Sequence, residues 1–413
     1  MVDKILYWIY LEPYTFIFEG KEGWVLYNTV NSVYMLFKDA AIIDLLRKLL
    51  DPYNGYIIPV DRKLAKDKNV INFVRNIRKS FSGDIVSDIF VKDKNKPFIF
   101  MPILRLYNDV NRIKKERGKS LGELILRNLS EVTFFLSTEC AFSCKYCGSY
   151  KQQFIHCSKF VSKICLSVDA YFAMFHRLKI CGVDKMNFVL SDLSDEKAEI
   201  LKNALSHSFK IEIYIDIRNI NDRVLGLVVD NDIILHVTFS FVDMSMESIL
   251  EKVMKYKDYK ICWECIVSSI EDLTLFNEFS FLDCLKMIPL YTGDNLSFFE
   301  KFVYLSLDDI VSNKIDKRQI FRRQVLNENF FGKLYILPSG AVYTNMNMPA
   351  IGNINENSLG EIIYREFDNS QSWLKIRDGK ICGNCENRYL CPSISNYELV
   401  IGKENLCHMY GKK

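Results

Sequence analysis

Between residue 130 and about residue 290 the chain alternates between two periodicities. Short apolar runs (VTFFLST, MNFVLS, KIEIYID, IILHVTFSF, YKICWECIV and LKMIPLY) are separated by stretches with apolar residues at helical spacing, among them SVDAYFAMFHRLKI, ending near Gly182, and EKAEILKNAL. Parallel strands need a crossover of a dozen or more residues, usually helical, to return to the same end of a sheet. About six such strand-helix units predict an α/β fold with a parallel sheet covered on both sides, either a partial barrel or a doubly wound sheet. In a barrel of this kind the chemistry collects at the C-terminal ends of the strands.

The chain has 413 residues, more than one small core can organise, and a prior of roughly 100–200 residues per domain gives two to four domains. The formal charge of +3 balances 54 basic against 51 acidic residues, which gives no reason to expect a nucleic-acid partner. The start, MVDKILYWIYLEPYTFIF, is apolar, but Asp3, Lys4, Glu12 and Pro13 interrupt it and no small-residue cleavage site follows. No uninterrupted run of roughly 18 apolar residues suggests a membrane span. These features lead us to expect a cytoplasmic protein without a membrane partner. In that compartment the thirteen cysteines are not a disulfide framework, and the tight spacing of seven of them points to metal ligation.

The N-terminal segment reads YTFIFEG, GWVLYN and SVYMLF, punctuated by Gly20, Gly23 and Asn31, and predicts a small antiparallel sheet. Helices follow it. Ile42, Leu45, Leu46, Leu49 and Leu50 share one face, as do Val70, Phe73, Val74 and Ile77. We expect domains at 1–88 (an α+β wing), 89–128 (a helical connector), 129–330 (the strand-helix region) and 331–413. The last, with its turn-rich LPSGAVYTN and IGNINENSLGEI, reads as a separate module built around loops. The basic stretch DVNRIKKERGKSLGELILRNL in the connector reads as a solvated helix face.

Two cysteine groups carry the chemistry. Cys140, Cys144 and Cys147 follow C-x3-C-x2-C spacing just past the first strand of the alternating region. Three thiolates on a cubic iron-sulfur cluster leave one iron open, whereas four close it. A zinc site completed by His156 or Cys157 is the alternative. The second group, Cys382, Cys385, Cys391 and Cys407, supplies four thiolates at C-x2-C-x5-C-x15-C, enough to saturate a cluster that serves structure or electron transfer. A zinc knuckle is the alternative there.

CAFSCKYC after a first strand, with Tyr146 before the third cysteine, resembles the radical S-adenosylmethionine superfamily. The C-terminal cysteines resemble the SPASM module of its peptide-modifying members, and the N-terminal pattern resembles their winged-helix leader-recognition domain. CPSISNYELVIGKENLCHM and YWIYLEPYTFIF are similar in wording to the maturases of Bacteroidales systems whose precursors carry a Gly-Gly leader, and to their pseudo-radical relatives. The resemblance implies a partial (β/α)6 barrel. It also implies S-adenosylmethionine on the open iron of one [4Fe-4S] cluster, one auxiliary [4Fe-4S] cluster, and a ribosomally made precursor peptide bound through its leader. An electron donor and a partner maturase are further implied partners.

The chain departs from that pattern at named places. A Gly-Gly-Glu stretch normally follows the second strand and binds the methionine amino group; here Ser191, Asp192 and Leu193 stand there, and the Asp192 carboxylate is the side chain that could serve an ammonium. Asn345 and Ser395 occupy places where the family has further cluster ligands, which leaves one auxiliary cluster. Ser240 in VTFSFVD resembles a serine near the bound cofactor. The implied cofactor contacts are thus Tyr146, Ser191, Asp192 and Ser240, with no catalytic residue beyond the first cluster. Cys262 and Cys265 lie three apart on a strand and point to opposite faces, so they read as buried apolar cysteines, as do Cys157, Cys165, Cys181 and Cys284. His176 reads as core, and His236 is open. Two functions follow: a radical enzyme that modifies a precursor peptide, or a catalytically silent relative that holds the peptide or a partner maturase. A zinc-stabilised scaffold is the third.

Overall fold

The fold is taken from a computed structural model that describes residues 5–91, 96–99, 101–102, 124–137, 152–157 and 165–409. Cys140, Cys144, Cys147 and Tyr146, and most of the 89–128 connector, lie outside the described residues.

The alternating region forms the centre of a nine-stranded sheet. Its parallel strands are β7 (Glu131–Phe135), β8 (Lys185–Leu190), β9 (Lys210–Asp216), β10 (Ile234–Ser240), β11 (Ile261–Val267) and β12 (Leu285–Pro289). They neighbour one another in chain order, with no reversal. The five helices that return the chain between them are α3 (Val168–Ile180), α4 (Asp195–Ser206), α5 (Asp222–Asp230), α6 (Met246–Tyr256) and α7 (Ile270–Asn277). Ser167, Ser194, Asn221, Ser245 and Ser269 cap these helices, each side chain accepting a backbone N–H of the first turn that would otherwise have no partner.

The two faces of the sheet differ. Toward the helices point Val132, Phe134, Met186, Phe188, Ile213, Ile215, Leu235, Val237 and Phe239, all fully buried in one continuous core. The alternate positions carry Thr133, Asn187, Glu212, Tyr214, His236, Thr238 and Glu264. A parallel sheet covered on both sides usually shows continuous apolar runs. This one instead keeps a polar, largely buried face.

The chain after 331 is not detached from the sheet. β13 (Lys333–Ile336) runs parallel to β7, and β14 (Ala341–Tyr343) and β15 (Gly352–Asn353) extend it in antiparallel fashion. Leu334 and Ile336 alternate into the helix-side core, so burial of that face fixes the register. Only beyond β15 does the turn-rich text form its own layer, around α11 (Leu359–Asn369) and the buried Trp373.

The N-terminal segment contains the expected strands, β2 (Thr15–Glu19), β3 (Trp24–Asn28) and β4 (Tyr34–Phe37), in an antiparallel meander. The helices are α1 (Ala40–Leu50) and α2 (Lys68–Lys79). A second sheet, absent from the sequence reading, places β1 (Tyr7–Leu11) between β5 (Ile57–Val60) and β6 (Gly83–Ser87). One side of the meander packs with β1, α1 and α2. The other, Phe16, Phe18, Val25 and Tyr27, packs on Ile310, Ile315, Ile320 and Leu390.

That second contact joins the wing to the C-terminal segment. Tyr34 Oη donates to Asn387 Oδ1 at 3.0 Å, and the Lys21 N–H donates to the Asn384 carbonyl at 3.0 Å. Gly20 lets the chains approach closely: a Cβ there would stand 2.3 Å from the backbone nitrogen of Glu386. Gly20→Ala should therefore cost about 1–3 kcal/mol through forced displacement. Urea unfolding checks the loss, and proteolysis should show the wing loosened first.

Candidate functional site

The polar face of the sheet holds a continuous network. Glu212 on β9 accepts from Lys185 Nζ at 2.9 Å and Tyr214 Oη at 2.9 Å. His236 on β10 lies between two carboxylates, with Nδ1 2.9 Å from Glu264 Oε1 and Nε2 3.3 Å from Glu212 Oε2. The second contact is an ion pair off the line of a hydrogen bond, since Nε2 has no well-aligned acceptor. The Tyr214 ring stacks on the imidazole at 4.3 Å. Thr238 donates to Glu264 Oε2 at 3.3 Å and pairs with His156 Nε2 at 2.6 Å, which brings the segment after the first cysteine group onto the sheet. Across β7 and β8, Asn187 donates to Glu131 Oε1 at 2.6 Å and to Thr133 Oγ1 at 3.1 Å. A cavity of about 380 Å³ opens beside Glu131, Lys185, Lys333 and Tyr335, near the N-terminal ends of these strands.

Burial works against a charged His236, but the contacts with Glu212 and Glu264 outweigh it and raise its pKa. Burial likewise raises Glu212, yet the contact with His236 and the bonds from Lys185 and Tyr214 prevail and hold it down at about 2. His156 goes the other way: burial lowers it to about 4, so it is neutral at pH 7. The signs give a testable pattern. The stability from His236 is full below about pH 6.5, its unfolded value, and is lost as pH rises through the raised folded value. That from His156 is full above about pH 6.5 and is lost as pH falls toward its folded value. Glu212 contributes fully above about 4.5 and loses its contribution only on falling toward its folded value. Thermal melts at stepped pH should show the wild-type advantage over His236→Gln shrinking on the alkaline side and that over His156→Gln shrinking on the acid side.

At the C-terminal end of β8 the segment Ser191, Asp192 and Leu193 makes its polar contacts within the chain. Asp192 accepts from Ser191 Oγ at 3.0 Å and pairs with Lys197 Nζ, from the first turn of α4. Lys197 also donates to Ser137 Oγ at 3.1 Å, and Ser137 bonds Ser191 Oγ at 2.5 Å. Lys197 is the main reason that the Asp192 pKa is lowered. Ser240, at the same end of β10, is buried and accepts the Val242 N–H at 3.2 Å. It lies two strands from Ser191, with β9 between them, and two residues farther along its own strand. The Asp192 carboxylate at this edge is thus already paired with a lysine, through Oδ1.

The C-terminal cysteines do come together. Cys382, Cys385, Cys391 and Cys407 line one small cavity with Arg377, Arg388 and Asn405. Sulfur atoms receive N–H donors: Asn387 N to Cys385 Sγ at 3.4 Å, Asn405 Nδ2 to Cys407 Sγ at 3.4 Å, and Arg377 Nη1 to Cys382 Sγ at 3.9 Å. Burial pushes the Cys391 thiol up to about 12; Arg377 lowers it, and the three neighbouring sulfurs raise it. Two buried and two half-buried thiols around one cavity, with donors aimed at three of the sulfurs, suit a multiply charged inorganic centre that would hold them as thiolates. Among the described residues, no three His, Cys, Asp or Glu side chains are set to hold a single metal ion.

The two positions that lack a cysteine have other tasks. Asn345 is buried, accepting from the Asn347 N–H at 2.7 Å and donating to Asn396 Oδ1 at 2.9 Å. Ser395 caps α12 (Asn396–Ile401) in a capping box with Glu398.

Of the remaining expectations, Cys157 and Cys265 are buried as read. Cys165 is exposed and Cys181 half-buried, because each lies at the edge of α3 rather than on its inner face. Cys262 and Cys284 are half-buried and touch each other. His176 is exposed: Met174, Phe175 and Leu178 take the buried face of α3. The sequence reading missed Glu212, Glu264, Lys197 and Arg377. For the two glutamates a signal was present, a charge inside an otherwise apolar strand.

No family model and no curated protein matches the sequence. In shape the chain is similar to SuiB of Streptococcus suis bound to precursor peptide SuiA, at 12% identity over 97% of this chain and 98% of that one, with a TM-score of 0.46. It is also similar to SuiB bound to S-adenosylmethionine (12% identity, 97% and 98%, TM-score 0.43). A third likeness is to native anSMEcpe with bound AdoMet (12%, 63% and 88%, TM-score 0.40). These are likenesses of outline, and function lies in sites rather than in outlines.

Proposed function

We propose that the chain is a radical S-adenosylmethionine enzyme of the SPASM type that modifies a ribosomally made precursor peptide. The observation that carries this reading is the four-thiol cavity of Cys382, Cys385, Cys391 and Cys407 in the same chain as a parallel sheet whose first strand leads directly into Cys140, Cys144 and Cys147. The chain-order sheet supports a partial (β/α)6 barrel at 129–330, and the thiol cavity supports an auxiliary [4Fe-4S] cluster in a SPASM module at 331–413. The wing at 1–88 would recruit the leader, as in the Gly-Gly-leader systems of Bacteroidales that the wording resembles. In its favour, β4 pairs on one side only among the described residues and is half-exposed, an edge to which an extended peptide can add.

A second reading, a silent relative that holds the precursor or a partner maturase, is favoured by Lys197. Its ammonium already sits on Asp192, where the resemblance would place the ammonium of the cofactor. The test is release of 5'-deoxyadenosine from S-adenosylmethionine by the anaerobically reconstituted chain with dithionite as reductant, for wild type and Lys197→Met. Release by the wild type supports the enzyme. No release by either protein, with both cysteine groups loaded with iron, supports the silent partner.

A further inference from the structure

The sheet ends at β12, and there two thiols meet that neither cysteine group uses. Cys262 lies on β11 and Cys284 immediately before β12, one step along from the register pair Trp263 and Leu285. The Trp263 N–H donates to the Cys284 carbonyl at 2.9 Å, and the two Sγ atoms are 2.8 Å apart. Facing positions on neighbouring strands are about 5 Å apart, within the Cα separation that a disulfide spans. Both thiols are half-buried at the end of the sheet, within reach of a small molecule, while Cys265 points into the core on the opposite face and is fully buried. We propose that Cys262 and Cys284 form a redox-active dithiol site that a low-molecular-weight disulfide oxidises to a cross-strand disulfide.

The step balances by thiol-disulfide exchange. One thiolate attacks a sulfur of oxidised glutathione, forming a mixed disulfide and expelling one glutathione thiolate. The second thiolate then attacks the protein sulfur of that mixed disulfide and expels the other. Two electrons pass from the cysteines to the oxidant, and two protons are released to the expelled thiolates and the solvent. The bond ties down the strand whose far end receives Tyr397 Oη on the Pro289 carbonyl at 2.7 Å. Just beyond it, Tyr291 exchanges two hydrogen bonds with the Gln153 side chain. Oxidation would thus stiffen the place where the C-terminal segment and the Gln153 segment meet the sheet.

The full chain, reconstituted anaerobically, is equilibrated with mixtures of reduced and oxidised glutathione, quenched in acid, alkylated with N-ethylmaleimide and digested. Trypsin releases residues 261–286 as one peptide containing Cys262, Cys265 and Cys284, and cleavage after Glu264, Glu271 and Glu278 separates the three. The expected product in oxidising mixtures carries one maleimide, on Cys265, and has lost two hydrogens, with a link between Cys262 and Cys284. Cys262→Ser and Cys284→Ser should each abolish the loss and leave a glutathione adduct on the remaining partner. Three maleimides in every mixture, two separate glutathione adducts in the wild type, or a link through Cys265 would overturn the proposal.

Discussion

Replacing Cys385 and Cys391 together by Ala is expected to remove the C-terminal cluster altogether, lowering iron by about four per chain, the content of one cubic centre. Two thiols would remain, Cys382 and Cys407, fewer than the three that hold a cubic centre with one open iron. Because such a centre binds the folded module only, its binding free energy is folding free energy, on the order of 10 kcal/mol for structural metal sites. The module should therefore open first, with cleavage near residues 377–409 at protease levels that spare the sheet. Iron analysis and limited proteolysis on the same sample check both halves of the prediction. If the variant keeps full iron content and wild-type resistance, the four cysteines are not a ligand set.

Arg377→Met should cost about 3–5 kcal/mol, the range for breaking a buried ion pair from one side. The arginine side chain is 11% exposed and that of its partner Glu398 is 5% exposed, so the carboxylate left behind cannot recover its hydration. The same guanidinium reaches Cys382 Sγ and, through Nε, the Pro392 carbonyl, so three segments of the module meet on one side chain. Glu398 retains the Ser395 N–H and hydroxyl as donors, which places the loss toward the lower end of the range. Arg377→Met combined with Glu398→Gln should recover part of the loss, and chemical unfolding of the single and double variants measures the coupling. Iron should also load less readily in Arg377→Met at neutral pH, since the arginine lowers the pKa of both Cys382 and Cys391.

The strands and helices of the centre were legible because their periods differ and because serine or asparagine stands at each helix start. The polar face was written in the same strands, as Glu212 and Tyr214 two apart, His236 and Thr238 two apart, and Glu264 in the next strand. Reading each strand only as an apolar run hid it. Contacts that join distant segments were not legible. KLYI is too short to announce that it will run beside β7, some 200 residues away in sequence. Nothing local ties Arg377 to Glu398 or Lys197 to Ser137. The β1 sheet was missed for a related reason: YWIYL is apolar on both faces, so its period reveals no partner until β5 and β6 are placed beside it. The meeting of Cys382, Cys385, Cys391 and Cys407 at one cavity was foreshadowed by their short spacing, which pointed to a shared site.

The central claim, that an open iron on Cys140, Cys144 and Cys147 takes S-adenosylmethionine, is tested most directly by electron paramagnetic resonance. The sample is the reduced, anaerobically reconstituted chain with and without S-adenosylmethionine, compared with a Cys140→Ala/Cys144→Ala/Cys147→Ala variant that isolates the C-terminal centre. The account predicts a cluster signal that is absent from the variant and that changes on adding S-adenosylmethionine, with the variant's remaining signal unchanged. A well-formed first cluster whose signal is indifferent to S-adenosylmethionine would contradict it and leave the chain as a peptide-binding relative whose chemistry belongs to a partner.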